Sequence, residues 1–271
     1  MRTVTLRAVI APSGSLVRDN PRQAQAALER LFRDCEAEAA CHAAFPDLER
    51  DFARAMARLE RDPVPVRLRD PAGDDSVSFR IDQGVLAGSV RRMLMDAGLR
   101  RRLPLAIHEA ATGRLETIRV GVEQTIAVAG SLAWGMGLSV VCAEDLPMLE
   151  GRTSPRSPPR ASSSGQAPGV GLRETCGRWP AGTPSRPGTI DRSEMMPALL
   201  LSRRRRSSHA AGLGAEVAQA LPYQRHAPGP RGHRPRALPD CALGIMASFV
   251  ERGSMASVDT ALFASLTPAP L

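Results

Sequence analysis

The sequence predicts an α/β chain whose N-terminal half is largely helical and carries one small β-hairpin. Three observations predict it. Apolar residues recur at i, i+3, i+4 and i+7 in several windows between 20 and 130, the period of amphipathic helices. Two runs, 64–68 and 77–81, alternate apolar and polar residues around Asp70-Pro71-Ala72-Gly73, as a hairpin with a long turn does. Short aliphatic runs at 2–10 and 197–202 read as buried strands.

Taken in order, RTVTLRAVI (2–10) is the first strand, closed by Pro12-Ser13-Gly14. Asn20-Pro21 opens a helix over 21–34, with Asn20 as N-cap, Pro21 at the first helical position and Gln23 at capping-box spacing. Leu28, Leu31, Phe32 and Cys35 form its apolar stripe. Asp47 caps a helix over 47–61 with Leu48, Phe52, Ala55, Met56 and Leu59 on one face, and Asp62-Pro63 stops it. Asp82 opens a helix over 82–95 carrying Val85, Leu86, Val90, Met93 and Leu94. Helices at about 103–112 and 115–129 follow, separated by Gly113. GLSVVC (137–142) reads as the start of a strand. Residues 151–195 are rich in Pro, Ser, Arg and Gly and lack apolar periodicity, so they are expected to be disordered. Residues 213–221 and 242–250 read as helices.

The chain has 271 residues and a net charge of +8, which first suggests a nucleic-acid partner. The charge is localised. Residues 1–150 hold 20 Arg against 21 Asp and Glu, and 241–271 hold 1 against 2. The excess sits in 151–240, with 15 Arg against 5 acids. Every one of these basic residues is Arg, with no Lys, the pattern of GC-rich coding. Arg203 to Arg206 would be the phosphate contacts of a nucleic-acid binder, but no aromatic residues interleave with them and no nucleic acid is expected. No apolar run reaches the length of a membrane span, so no span is expected, and no signal peptide is evident.

The five cysteines are Cys35, Cys41, Cys142, Cys176 and Cys241. No C-x-x-C occurs, so no metal site and no cofactor are expected. On a continuous helix Cys35 and Cys41 would lie on different faces and about 9 Å apart along the axis. They bridge only if the helix breaks between them; otherwise they stay free thiols.

DCEAEAACHAAFPDLERDFARAMARLERDPVPV (34–66), LPLAIHEAATG (103–113) and GMGLSVVCAEDLP (135–147) resemble the α/β-hydrolase branch that contains proline iminopeptidase-like and tripeptidyl aminopeptidase-like serine peptidases. Those proteins are usually exported, and in them a cap of helices with a small hairpin is inserted in the hydrolase sheet. The resemblance implies a partial α/β-hydrolase. Residues 1–14 would be the core strand after the nucleophile helix, 15–135 the cap, 136–150 the return to the core and 196–271 a degraded C-terminal core. The later matches are islands: Cys176 with Trp179-Pro180, MPALLLS (196–202), GAEVAQALPYQRH (214–226) and PGPRGH (228–233). They place His233 at the catalytic histidine and MPALLLS on the strand that carries the catalytic acid. Where the family has its acid loop this chain reads RRRRSSHAA, so the acid is missing. A shifted reading of GC-rich DNA yields such a composition.

The resemblance also implies that oxidation pairs Cys35 with Cys41 first, allows a Cys142–Cys176 bond and leaves Cys241 free. Glu144, just after the expected return strand, would bind a substrate's α-ammonium group as acidic cap residues do in aminopeptidases. His42 and His108 would be surface or packing residues of the cap. The expected partner is a peptide or a small ester. A serine hydrolase needs a nucleophile on a G-x-S-x-G elbow, and the chain contains none. The expectation is a truncated hydrolase, inactive as written, with Ser202 as the substitute nucleophile to test. The competing readings are a noncatalytic peptide-binding cap module and an Arg-rich nucleic-acid binder.

Overall fold

The computed structural model describes residues 2–7, 9, 11, 14–69, 76–147, 170–180, 197–203, 211–221, 224–229, 240–254, 256 and 258–259. These are mostly helical, with a few short strands.

Helix α1 (Leu16–Ala37) begins one turn before the expected start. Buried Ser15 precedes it, and the Ser15 N–H donates to the Asp19 carboxylate at 2.9 Å. That side chain satisfies the backbone N–H ahead of the helix, and it also sets a negative charge in the first turn. Asn20 and Pro21 therefore lie inside the helix, a correction to the N-cap reading; Pro21 costs it one backbone bond. The helix ends at Ala37, and Glu38 is extended (φ −97, ψ 111) before α2 (Ala39–Ala44). Helix α3 (Leu48–Arg61) follows Asp47, whose side chain does not cap the helix but accepts from Arg50 at 3.2 Å.

Strands β2 (Val64–Arg69) and β3 (Ser76–Ile81) pair antiparallel from Val64↔Ile81 to Arg69↔Ser76. The expected turn, 70–75, lies outside the described residues. Helix α4 (Gln83–Met95) starts as its sequence predicts, with the Asp82 carboxylate accepting from the Val85 N–H at 2.8 Å. A short α5 (Ala97–Arg100) uses Asp96 in the same way, accepting from Gly98 and Leu99. Helix α6 (Leu103–Thr112) closes on Gly113 at φ +94, a left-handed cap that glycine adopts without strain. Helix α7 (Glu116–Gly130) approaches α4 closely, and a Cβ at Gly121 would lie 3.1 Å from Met93 and Ser89. The apolar faces of α1, α3, α4, α6 and α7 and the inner face of the hairpin meet in one core, around Leu28, Leu59, Ile81, Leu86, Met93 and Ile107. Full burial of each such side chain stabilises by about 1.5–3 kcal/mol.

Residues 137–142 are not a strand. They continue α8 (Trp134–Val140) into a π-helical turn, Val141–Asp145, which corrects the expected return strand. No strand among the described residues lies beside them to pair with, so the backbone satisfies its own hydrogen bonds as a helix. Within the expected disordered stretch, α9 (Val170–Arg178) is helical, again a correction. Its anchor is the Cys142–Cys176 disulfide, aided by the Trp179 Nε1–H donating to Ser139 Oγ at 3.2 Å. The rest of 151–195 lies outside the described residues.

The second sheet joins distant parts of the chain. Strands β1 (Val4–Arg7), β4 (Ala198–Arg203) and β5 (Gln224–Gly229) are parallel in the order β1-β4-β5. The register runs Val4↔Ala198 and Arg7↔Leu201 on one side of β4, and Ala198↔Gln224 and Arg203↔Gly229 on the other. Helix α10 (Ala211–Ala220) is the crossover from β4 to β5, and α11 (Asp240–Arg252) follows β5. Leu199 and Leu201 pack with Ala242 and Phe249, whereas Ala198 and Leu200 pack with Val217 and Ala218. With a helix on each face, the central strand must be apolar at successive positions, and that is why PALLLS shows no alternation.

Candidate functional site

His233 lies outside the described residues, as do Arg204 to Arg206. The topology gives the place from which the chain enters both segments. Arg203 and Gly229 are register partners at the carboxyl ends of neighbouring parallel strands. Residues 204–210 and 230–239, His233 among them, follow these two strand ends in sequence. Ligand sites of parallel α/β sheets sit outside the carboxyl ends of the strands. Ser202 lies within β4, opposite Pro228, rather than on a strand-to-helix turn.

Glu144 is exposed in the π-helical turn, between the disulfide-bonded Cys142 and buried Asp145. It follows a helix, so its expected position just after a return strand is corrected. The disulfide residues are paired as the resemblance implies, Cys35 with Cys41 and Cys142 with Cys176. The side chain of Cys241 lies outside what is described.

The larger cavity, about 410 Å³, opens between α1, α2 and α3. Phe32, Phe45 and Leu48 give it apolar walls, Glu36, Glu49 and Arg50 give it charged ones, and His42 adds a polar ring. A second, about 260 Å³, lies on the hairpin between Val66, Arg67, Phe79 and Arg80.

One polar cluster had not been anticipated. Asp51 is 2% exposed on α3 and accepts from both Arg54 and His108, the latter at 2.7 Å through Nδ1. A carboxylate held by a guanidinium acts as acceptor, so Nδ1 carries the hydrogen of this bond. The ring also packs on Phe45, 5.7 Å between centroids. His108 is thus a packing residue, as expected, and it ties α6 to α3. The signal was present: Asp51 falls on the stripe of Leu48, Ala55 and Leu59, where an acid needs a buried partner. Elsewhere, Arg100 is buried and paired with Asp34 at 2.8 Å. Burial pushes the Arg91 guanidinium below its ordinary value, and neighbouring Arg92 adds to this.

Among the described residues no group of three or more His, Cys, Asp or Glu could hold a metal ion, and no helix is long and apolar enough to cross a membrane. No family model matches the chain, and no curated protein matches it.

Proposed function

We propose that the chain descends from a serine aminopeptidase of the α/β-hydrolase type and is catalytically silent as written. One observation carries the reading. Strands β1 and β4 are hydrogen-bonded parallel neighbours, yet a helical unit with its own hairpin lies between them in sequence. A cap inserted into a hydrolase sheet has that connectivity. The β4-α10-β5 crossover adds to it, because the parallel strands end side by side at Arg203 and Gly229, the residues that precede the expected acid loop and the His233 segment in sequence. The ancestral reaction would be hydrolysis of an N-terminal peptide bond or a small ester through an acyl-enzyme. That step needs an elbow serine, an orienting acid and an oxyanion hole, and the chain has no G-x-S-x-G and no acid in RRRRSSHAA.

A second reading, noncatalytic peptide binding, draws on the mixed apolar and charged cavity between α1, α2 and α3. Treatment with an active-site serine phosphonate tests the first reading. No covalent adduct is expected. A stoichiometric adduct that His233→Ala abolishes would reveal a working site and overturn the claim of silence.

A further inference from the structure

The sequence around the first disulfide does not by itself encode the break seen there. Residues 36–44, EAEAACHAA, contain five alanines and no glycine, proline or β-branched residue. Such a run continues a helix. The first sequence signal that ends one is Phe45-Pro46, since the residue before proline avoids helical geometry. Left to propensity, α1 would run from Leu16 to Ala44 without interruption.

The disulfide forbids that. A continuous helix sets residues six apart about 9 Å apart along the axis and on different faces. Cys35 and Cys41 are bonded with Cα atoms 5.1 Å apart. The chain accommodates the bond by leaving helical geometry at Glu38. The break has a visible cost, for the Glu38 side chain caps no N–H of α2, and the opening turn of α2 forgoes bonds back into α1.

We propose that Cys35–Cys41 is a redox-controlled hinge: the oxidised chain is kinked at Glu38, and the reduced chain is one continuous helix from α1 through α2. The inference is independent of the hydrolase reading. A dithiol is the reductant. Its thiolate attacks Cys41, the more exposed half of the bond. The S–S bond breaks, and Cys35 leaves as a thiolate and takes a proton. The second thiol of the dithiol then closes onto the mixed disulfide, giving the oxidised reductant and releasing Cys41, which is protonated in turn. Two electrons pass from the dithiol to the cysteines.

The tilted contact of Phe45 on His108 and the packing of Cys41 and Phe45 against the main core oppose straightening, and the backbone bonds recovered across Glu38 act against them. Straightening carries His42 and Phe45 away from Leu48 and opens the cavity they line. The redox state thereby sets whether that cavity exists.

Amide hydrogen exchange on the full chain carrying Cys142→Ser and Cys176→Ser tests this, oxidised against dithiothreitol-reduced. Reduction is expected to slow exchange at residues 39–41 by about tenfold, with α3 and α4 unchanged. The unsubstituted chain should show the same slowing at 39–41, and adding Glu38→Pro should weaken it, because a proline there removes one backbone bond of the continuous helix and crowds the carbonyl four residues earlier. Unchanged or faster exchange at 39–41, or equal slowing with Glu38→Pro, would overturn the proposal.

Discussion

The purified chain is expected to turn over neither aminoacyl p-nitroanilides nor p-nitrophenyl esters above the buffer rate. Without an elbow serine no acyl-enzyme forms. Ser202 does not replace it, because its backbone is paired opposite Pro228 inside a strand, whereas a nucleophile elbow needs a sharp strand-to-helix turn. RRRRSSHAA supplies no acid to fix the tautomer of a histidine after β5. Triads with a member removed keep about 10³–10⁴ over water only because the oxyanion hole and binding site remain. Loss of one oxyanion donor removes about a further 10²–10³. Release of nitroaniline or nitrophenol, followed against heat-treated chain, checks this. Saturable turnover that disappears with His233→Ala would refute it.

Ile107→Ala is expected to destabilise the helical unit by about 2–5 kcal/mol. Ile107 is fully buried on α6, where that helix packs on α3 within the single large core. Truncation there loses the transfer free energy of the methylenes and leaves a cavity that close-packed helices fill only in part. Leu105 on the same helix is 42% exposed, and Leu105→Ala should stay within about 0.5 kcal/mol. Urea titrations of both variants give the comparison. Equal losses would mean that α6 does not bury the face assigned to it.

Where hydrophobic period and side-chain caps agree, the sequence was legible. The helix beginning at Asp82, the hairpin at 64–81 and the left-handed stop at Gly113 all lie where their residues place them. Asn20-Pro21 misled because a better device, Ser15 with Asp19, sits one turn earlier and proline is tolerated inside the helix it starts. GLSVVC misled because β-branched residues make a strand only when a neighbouring strand accepts them. Strand β5 was missed because Pro228-Gly229 reads as a turn, although an edge strand tolerates a residue with no N–H to donate. The Val170–Arg178 helix has little apolar pattern of its own and depends on a disulfide to a partner 34 residues away, which no local window contains. Of the candidate site, the cysteine pairing was legible through resemblance, whereas the place of Glu144 was not, because it depended on the strand that did not form.

The central claim is that a hydrolase sheet, interrupted by a cap, underlies this chain, and its coding DNA tests that most directly. Reading all three frames, with the bases upstream of Met1, is predicted to recover a G-x-S-x-G elbow before β1. It is also predicted to recover a Gly-Glu-x-Asp loop in another frame across the codons for RRRRSSHAA. Finding neither motif in any frame would contradict the descent proposed here.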